Sequence, residues 1–275
     1  MLQQSSAALA SVFDRASEDY DRTGAAFFTP LGRRLVEKAR VEPGSSVLDV
    51  GCGSGACLFP AALATGPKGR VVGIDLAPGM VGRARRAAES QRLGNVSVQL
   101  MDAFRPEFHG ARFDFVLSSM VLVWLPDSAE VLERYRPLLN PGGRFAFCNP
   151  RLTGQDGIPF VPEIFGTVME SVGVHPKTFF EDLDNGWLGA PDAALLKAGY
   201  TGIEVCDETY SLELLSGEDW VRWSWSHGFR SFWERVPQAR LGELEKEVAE
   251  GIDLLRDSDG VIRIPGTVRY VSAST

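Results

Sequence analysis

Long apolar runs, paired cysteines and an excess of positive charge are all missing from this chain of 275 residues. Nowhere do 18 or more apolar residues follow one another, and no basic segment leads into an apolar run at the N-terminus. Neither a membrane partner nor secretion is expected, which leaves a cytoplasmic protein by default. The four cysteines, Cys52, Cys57, Cys148 and Cys206, contain no C-x-x-C pair. They read as buried free thiols, not as a disulfide framework or a zinc site. The three histidines, His109, His175 and His227, are too scattered to suggest metal ligands, so no metal is expected. With 28 Lys+Arg against 36 Asp+Glu the formal charge is -8. Arg83, Arg85 and Arg86 fall on one predicted helix as a solvated face, and nucleic acid is not an expected partner.

What is present is a core. At 44% hydrophobic residues the chain can bury a sizeable interior. An amphipathic helix over 31–39 closes at Pro43-Gly44. Strands are then expected at 47–50, 71–74, 96–100, 113–118 and 144–148, with helices at 56–63, 80–91 and 129–139 between them. Short apolar runs alternating with helical patterns predict an α/β fold, a doubly wound, mostly parallel sheet covered on both faces. Beyond Pro150 the period is lost. Glycine, proline and aromatics dominate 151–190, a helix is expected at 193–198, extended pieces at 203–206 and 209–214, a charged helix at 241–256 and a last strand at 266–272.

Within that alternation, Leu48-Asp-Val-Gly-Cys-Gly-Ser-Gly-Ala56 sets Gly51, Gly53 and Gly55 directly after the first strand, where ligands of open parallel sheets bind. Glycine there lets a ligand approach the main chain. Asp75 ends the second strand and offers paired acceptors to a ribose diol. The dinucleotide spacing G-x-G-x-x-G is not met, and no Walker lysine follows the glycines. Asp49 would repel a pyrophosphate but suits a cationic ligand, which points to a nucleoside carrying an amine and a positive centre.

Five stretches resemble the class I, seven-stranded S-adenosylmethionine-dependent methyltransferases in order and spacing. They are Val-Leu-Asp-Val-Gly-Cys-Gly-Ser-Gly at 47–55, Val-Val-Gly-Ile-Asp at 71–75, Met-Asp-Ala at 101–103, Phe-Asp-Phe-Val-Leu-Ser-Ser at 113–119 and Leu-Asn-Pro-Gly-Gly-Arg at 139–144. The resemblance is to the small-molecule branch, the quinone-biosynthesis and natural-product enzymes. It implies S-adenosylmethionine as cofactor, with Asp49, Gly51, Cys52 and Gly53 at its amino-acid end. Asp75 and Leu76 would meet the ribose, Met80, Asp102 and Ala103 the adenine, and Ser118 and Ser119 would border the sulfonium. It also implies an antiparallel last strand, for which 268–272 is the candidate. Residues 1–39 then form an N-terminal helical cap, 40–150 the cofactor-binding core, and 151–275 the completion of the sheet with substrate-cap insertions.

The acceptor side carries no motif. Tyr20, Phe27 and Phe28 precede the first core helix, and Tyr20 would close the pocket or bond the cofactor carboxylate. His175 and His227 are the candidate bases, histidine's ordinary pKa suiting that task. His109 reads as exposed, and Trp124 as either packing or pocket. The run Trp220 to Trp233 reads either as a helix face packed on the sheet domain or as the wall of a pocket for an apolar, planar acceptor. Ser118-Ser-Met-Val121 stands where amine-methylating enzymes of nucleic acid and glutamine carry Asn-Pro-Pro-Tyr. The expected reaction is therefore methyl transfer to oxygen or carbon of a hydrophobic small molecule. Methylation of a protein or RNA group, or a non-catalytic cofactor-binding partner, are the alternatives, and the first 28 residues are a candidate homo-oligomer contact.

Overall fold

The computed structural model describes residues 6–125, 128–151, 158–176 and 191–275, so much of the irregular stretch 151–190 lies outside the described residues. Seven strands form one sheet in the order β3-β2-β1-β4-β5-β7-β6. They are β1 (Ser46–Val50), β2 (Arg70–Asp75), β3 (Val96–Leu100), β4 (Phe113–Ser119), β5 (Leu139–Pro150), β6 (Thr201–Leu214) and β7 (Ile262–Ser274). The first five pair in parallel, while β7 runs antiparallel between β5 and β6. The expected α/β class and the antiparallel last strand are both found.

Central strands are apolar because both their faces are covered. Four of the five residues of β1 are buried. On one face lie α2 (Phe28–Ala39) and α3 (Leu58–Thr65), and Leu31, Leu35, Leu58 and Ala61 pack there against Val47 and Leu117. The other face buries Leu48, Val72 and Val116 with Tyr135 of α5 (Ser128–Tyr135) and Leu195 of α7 (Pro191–Lys197). The helix α4 (Pro78–Ser90) follows β2, and α6 is Glu163–Glu170. At the start of the strands Asp114 accepts the Ser46 N–H, the Ser46 hydroxyl and the Asn140 amide, pinning β1, β4 and β5 together.

The edge strand β6 is one continuous strand, where two shorter pieces were expected. Its exposed side is lined by ion pairs, including Arg34–Glu208, Lys38–Glu208, Arg40–Glu204 and Arg269–Asp207. Charges of this kind also block edge-to-edge pairing with another chain. Cys206 lies on that edge and is exposed, so only Cys52, Cys57 and Cys148 are the buried thiols expected of all four. No metal-holding cluster of His, Cys, Asp and Glu occurs among the described residues. Nor is any described helix long and apolar enough to cross a membrane.

The aromatic run 220–233 is assembled from α8 (Gly217–Trp225) and α9 (Arg230–Trp233), backed by α10 (Leu241–Asp253). Ser216 starts α8 with a full capping box, accepting from Asp219 N while the Asp219 carboxylate accepts from Ser216 N. The N-terminal α1 (Ser6–Ala16) straps this cap to the core. Asp14 accepts the Gly79 N–H at the head of α4, Arg83 donates to the carbonyls of Ser17 and Tyr20, and Arg15 pairs with Glu234 beyond α9. Val12, Ala16, Phe27 and Phe28 are buried within the chain, and the large hydrophobics left exposed among the described residues, such as Leu63 and Leu254, lie elsewhere.

Candidate active site

Three glycines of positive φ, Gly51, Gly53 and Gly55, shape the loop after β1, and a Cβ at Gly55 would run into the Phe59 ring. Gly51 has φ +67°, and a Cβ there would stand 2.5 Å from both methyl groups of Val121. Gly53 has φ +53°, with only the Tyr20 ring edge in reach, 3.7 Å from where its Cβ would be. Gly51 is thus required by conformation and by space, Gly53 by conformation alone. Above Gly53 the backbone is open toward Tyr20.

Asp75 ties this loop to the end of β2. One of its oxygens accepts the Gly53 N–H at 2.8 Å and the other the Ala77 N–H at 2.9 Å. Burial raises its pKa, and the N–H groups of Ala77, Gly53 and Leu76 oppose that rise. Cys52 turns its sulfur inward, where it occupies the space a side chain at Gly73 would need, 2.8 Å from that Cβ position. Only its main chain faces the loop.

Asp49, one residue before the end of β1, is 1% exposed, and neither carboxylate oxygen closes a hydrogen bond. The Leu58 N–H at the head of α3 tempers its environment, but burial and then the charge of Asp75 push its carboxyl up to about 8. A buried carboxyl with no partner is costly unless something supplies one. Two other buried side chains among the described residues are equally unpartnered, the Asn149 amide near the end of β5 and the indole N–H of Trp223. The two carboxyl-side groups, Asp49 and Asn149, stand near the ligand-binding ends of their strands.

The other expected residues fall nearby with differing exposure. Met80 is buried on α4, Leu76 is half-buried beside Asp75, and Ala103 is buried. Asp102 closes a local turn by accepting the Phe104 N–H at 2.8 Å, and the Ala103 carbonyl accepts the Tyr135 hydroxyl at 2.6 Å. The serine hydroxyls are engaged inside the protein. Ser118 donates to the Val50 carbonyl and Ser119 pairs with the Cys148 sulfur, so their side chains are satisfied without a ligand.

Next to the loop, beyond the carboxyl ends of β4 and β5, lies an apolar cavity with an open mouth. Met120, Val123 and Trp124 after β4, Pro150 at the end of β5, and Phe160 line one side. Tyr20 and Phe28, stacked with centroids 4.5 Å apart, form the side toward Gly53. Trp223, His227 and Phe229 close the third side. The aromatic run therefore divides: Trp220, Phe232 and Trp233 are interior packing, while Trp223 and Phe229 are wall.

Of the candidate bases the structure brings His227 to the cavity and leaves His175 exposed after α6, outside the lining. His227 bonds through Nδ1 to the Trp223 carbonyl at 2.7 Å. Burial pushes its pKa down to about 3, so the ring is neutral. Tyr20 belongs to both halves of the site, and burial together with Asp21 and Asp75 raises its phenol pKa. Sequence reasoning missed Phe13, Met120, Ile158 and Phe160 as cavity residues, and Asn149 as an unpartnered amide. Position after β4 could have flagged Met120; no periodicity marks the others.

A parallel sheet with an antiparallel last strand, a glycine turn after β1 and an acidic end to β2 define a class I methyltransferase. The comparisons agree: a methyltransferase-domain family matches residues 41–171. Aklanonic acid methyltransferase DauC of Streptomyces sp. (strain C5) is 44% identical over 175 residues, 64% of this chain and 76% of that protein. Nocamycin O-methyltransferase of Saccharothrix syringae is 39% identical over 281 residues, 95% of this chain and 96% of that one. Phosphoethanolamine N-methyltransferase 2 of Haemonchus contortus, solved with S-adenosyl-L-methionine, shares the fold with a TM-score of 0.55 at 18% identity, over 99% of this chain and 58% of that chain. The chain belongs to the class I, Rossmann-like S-adenosylmethionine-dependent methyltransferases. It is an enzyme, and S-adenosylmethionine is its cofactor.

Proposed function

We propose that this enzyme methylates an oxygen atom of a hydrophobic small molecule of secondary metabolism, held in the apolar cavity beside the glycine loop. The observation that carries this reading is the cavity itself, almost wholly aromatic and aliphatic, with Tyr20 in contact with both the cavity and the loop. Oxygen is favoured over carbon by the O-methyltransferase similar along nearly the whole chain.

The residues present fit the cofactor. Asp49 is a buried carboxyl in want of a cationic partner, which the cofactor's ammonium would be. The open backbone at Gly53 and the positive φ of Gly51 leave room for its amino-acid end. Asp75 keeps lone pairs for the ribose hydroxyls after accepting two N–H groups. Leu76 would border the ribose and Met80, Asp102 and Ala103 the adenine, with Ser118 and Ser119 contributing position and main chain. When bound, S-adenosylmethionine supplies a methyl group made electrophilic by the sulfonium.

The chain then acts mainly by positioning and by excluding water. Aromatic walls orient a planar acceptor against the methyl, and bringing two reactants into line removes much of a bimolecular barrier. His227, held neutral at the cavity wall, is too weak a base to take the acceptor's proton and serves as wall, and Tyr20 separates the two ligands. The test is incubation of the full chain with S-adenosylmethionine and a panel of planar hydroxy-ketones and hydroxylated aromatics, read by mass spectrometry. A gain of one methyl on oxygen with matching S-adenosylhomocysteine is expected. Methyl found only on carbon, on protein or on RNA would contradict the proposal.

A further inference from the structure

The turn 101–105 that follows β3 is held by a helix no motif marks. The Met101 N–H donates to the Asp75 carbonyl at 3.0 Å, which keeps the turn beside the end of β2. The last two residues of α5 grip it as well. Arg134 stands over the Phe104 ring, 4.8 Å from its centroid, and Tyr135 donates its hydroxyl to the Ala103 carbonyl at 2.6 Å. The peptide joining Ala103 to Phe104 is thereby fixed at both ends, because its N–H donates to a carboxylate oxygen of Asp102 at 2.8 Å. A peptide is a rigid plane, so a hold on its carbonyl sets the direction of its N–H. That direction sets in turn where the Asp102 carboxylate lies. The second Asp102 oxygen accepts no hydrogen bond from the described residues.

Tyr135 is fully buried and has no part in the chemistry described above. Burial, and after it the charge of Asp102, hold its phenol well above the usual value, so the hydroxyl stays a donor at ordinary pH. Resting on the reading that places Asp102 at the adenine, we infer that Tyr135 is a positioning residue for the cofactor: through the Ala103–Phe104 peptide it fixes the carboxylate that takes the 6-amino group. Removing the hydroxyl keeps the ring and its packing. The Ala103 carbonyl then loses its partner in a buried place, a cost the peptide relieves only by turning, and Asp102 turns with it. Tyr200 supplies the contrast. Its hydroxyl is also buried and donates to a carbonyl of α5, that of Leu132 at 3.3 Å, and not to the turn after β3. One hydroxyl steadies the helix, the other the reader of the adenine.

The probes are S-adenosylhomocysteine and its purine-riboside analogue, in which hydrogen replaces the 6-amino group. Affinities for the full chain are measured by titration calorimetry. A hydrogen bond to the charged Asp102 predicts that the wild type binds S-adenosylhomocysteine at least about tenfold more tightly than the analogue. Tyr135→Phe should lower that ratio by at least about threefold, through weaker S-adenosylhomocysteine binding, with analogue affinity changed by less than about twofold. Tyr200→Phe should lower the melting temperature and leave the ratio at its wild-type value, which separates positioning from a general softening of α5. A wild-type ratio that persists in Tyr135→Phe, or that falls equally in both variants, overturns the inference and leaves the adenine placement standing. Equal binding of the two probes by the wild type overturns that placement and the inference with it. If Tyr135→Phe does not fold, amide exchange in the wild type, with each probe saturating, decides the question. S-adenosylhomocysteine should slow exchange of the Phe104 N–H at least about tenfold more than the analogue does, and equal protection overturns the inference.

Discussion

Asp49→Asn tests the buried carboxyl at the cofactor loop. The folded, ligand-free chain holds that proton to about pH 8, whereas the unfolded chain loses it near pH 4. Between those values the folded state binds more protons, so stability falls as pH rises, by up to about 1.4 kcal/mol per pH unit. At pH 7 the accumulated cost is about 4 kcal/mol. The asparagine variant, which cannot titrate, should show a correspondingly flatter melting profile between pH 5 and pH 8. A cationic ammonium placed beside Asp49 reverses the preference and draws the carboxyl into its ionised form. About 0.9 proton should therefore be released by Asp49 for each cofactor bound at pH 7, and close to none at pH 9. Titration calorimetry in two buffers of different ionisation enthalpy measures that number, and subtracting the Asp49→Asn value isolates this residue. Equal proton counts for the two proteins at pH 7 would refute the pairing of Asp49 with the cofactor's charge.

Gly51→Ala should cost cofactor binding and at least about 2 kcal/mol of stability, because its Cβ meets Val121 as well as an unfavourable φ; chemical denaturation checks this, and Val121→Ala should restore part of the loss. Gly53→Ala, with only the conformational penalty, should cost about 1 kcal/mol of stability yet weaken S-adenosylmethionine binding at least tenfold in calorimetry. His227 contributes the opposite pH dependence to Asp49. Its folded pKa of about 3 lies below the unfolded value, so stability is complete above about pH 6.5 and is lost as pH falls, by roughly 3 kcal/mol at pH 4.5. His227→Phe should melt with a shallower acid slope, and an unchanged slope would show that the ring is not held neutral.

The cofactor half was legible because its chemistry and its local pattern coincide. Val47, Leu48 and Val50 make a run that only a doubly covered strand explains, and Asp49, Gly51 and Asp75 interrupt such runs where apolar residues would otherwise stand. Ser118 and Ser119 were read from position, and the structure turns both hydroxyls into the protein. The acceptor half was less legible. Phe27, Phe160 and Trp223 meet only after the cap folds, with Phe27 centroids 4.8 Å from Phe160 and 5.3 Å from Trp223. Residues so far apart leave no period in the sequence. The edge strand β6 was split in expectation because Asp207 and Glu208 interrupt its apolar pattern, yet both are held by arginines or lysine from neighbouring elements. The choice between His175 and His227 needed burial, which one sequence does not display.

Titration of the full chain with S-adenosylmethionine, alongside Asp75→Ala, bears most directly on the central claim that the ends of β1 and β2 hold the cofactor. The variant removes the acceptor of the Gly53 and Ala77 N–H groups and both oxygens offered to the ribose. Micromolar binding by the wild type, lost in a variant that still melts cooperatively, is the predicted result. Equal binding by a folded Asp75→Ala protein, or no binding by the wild type, would contradict the account.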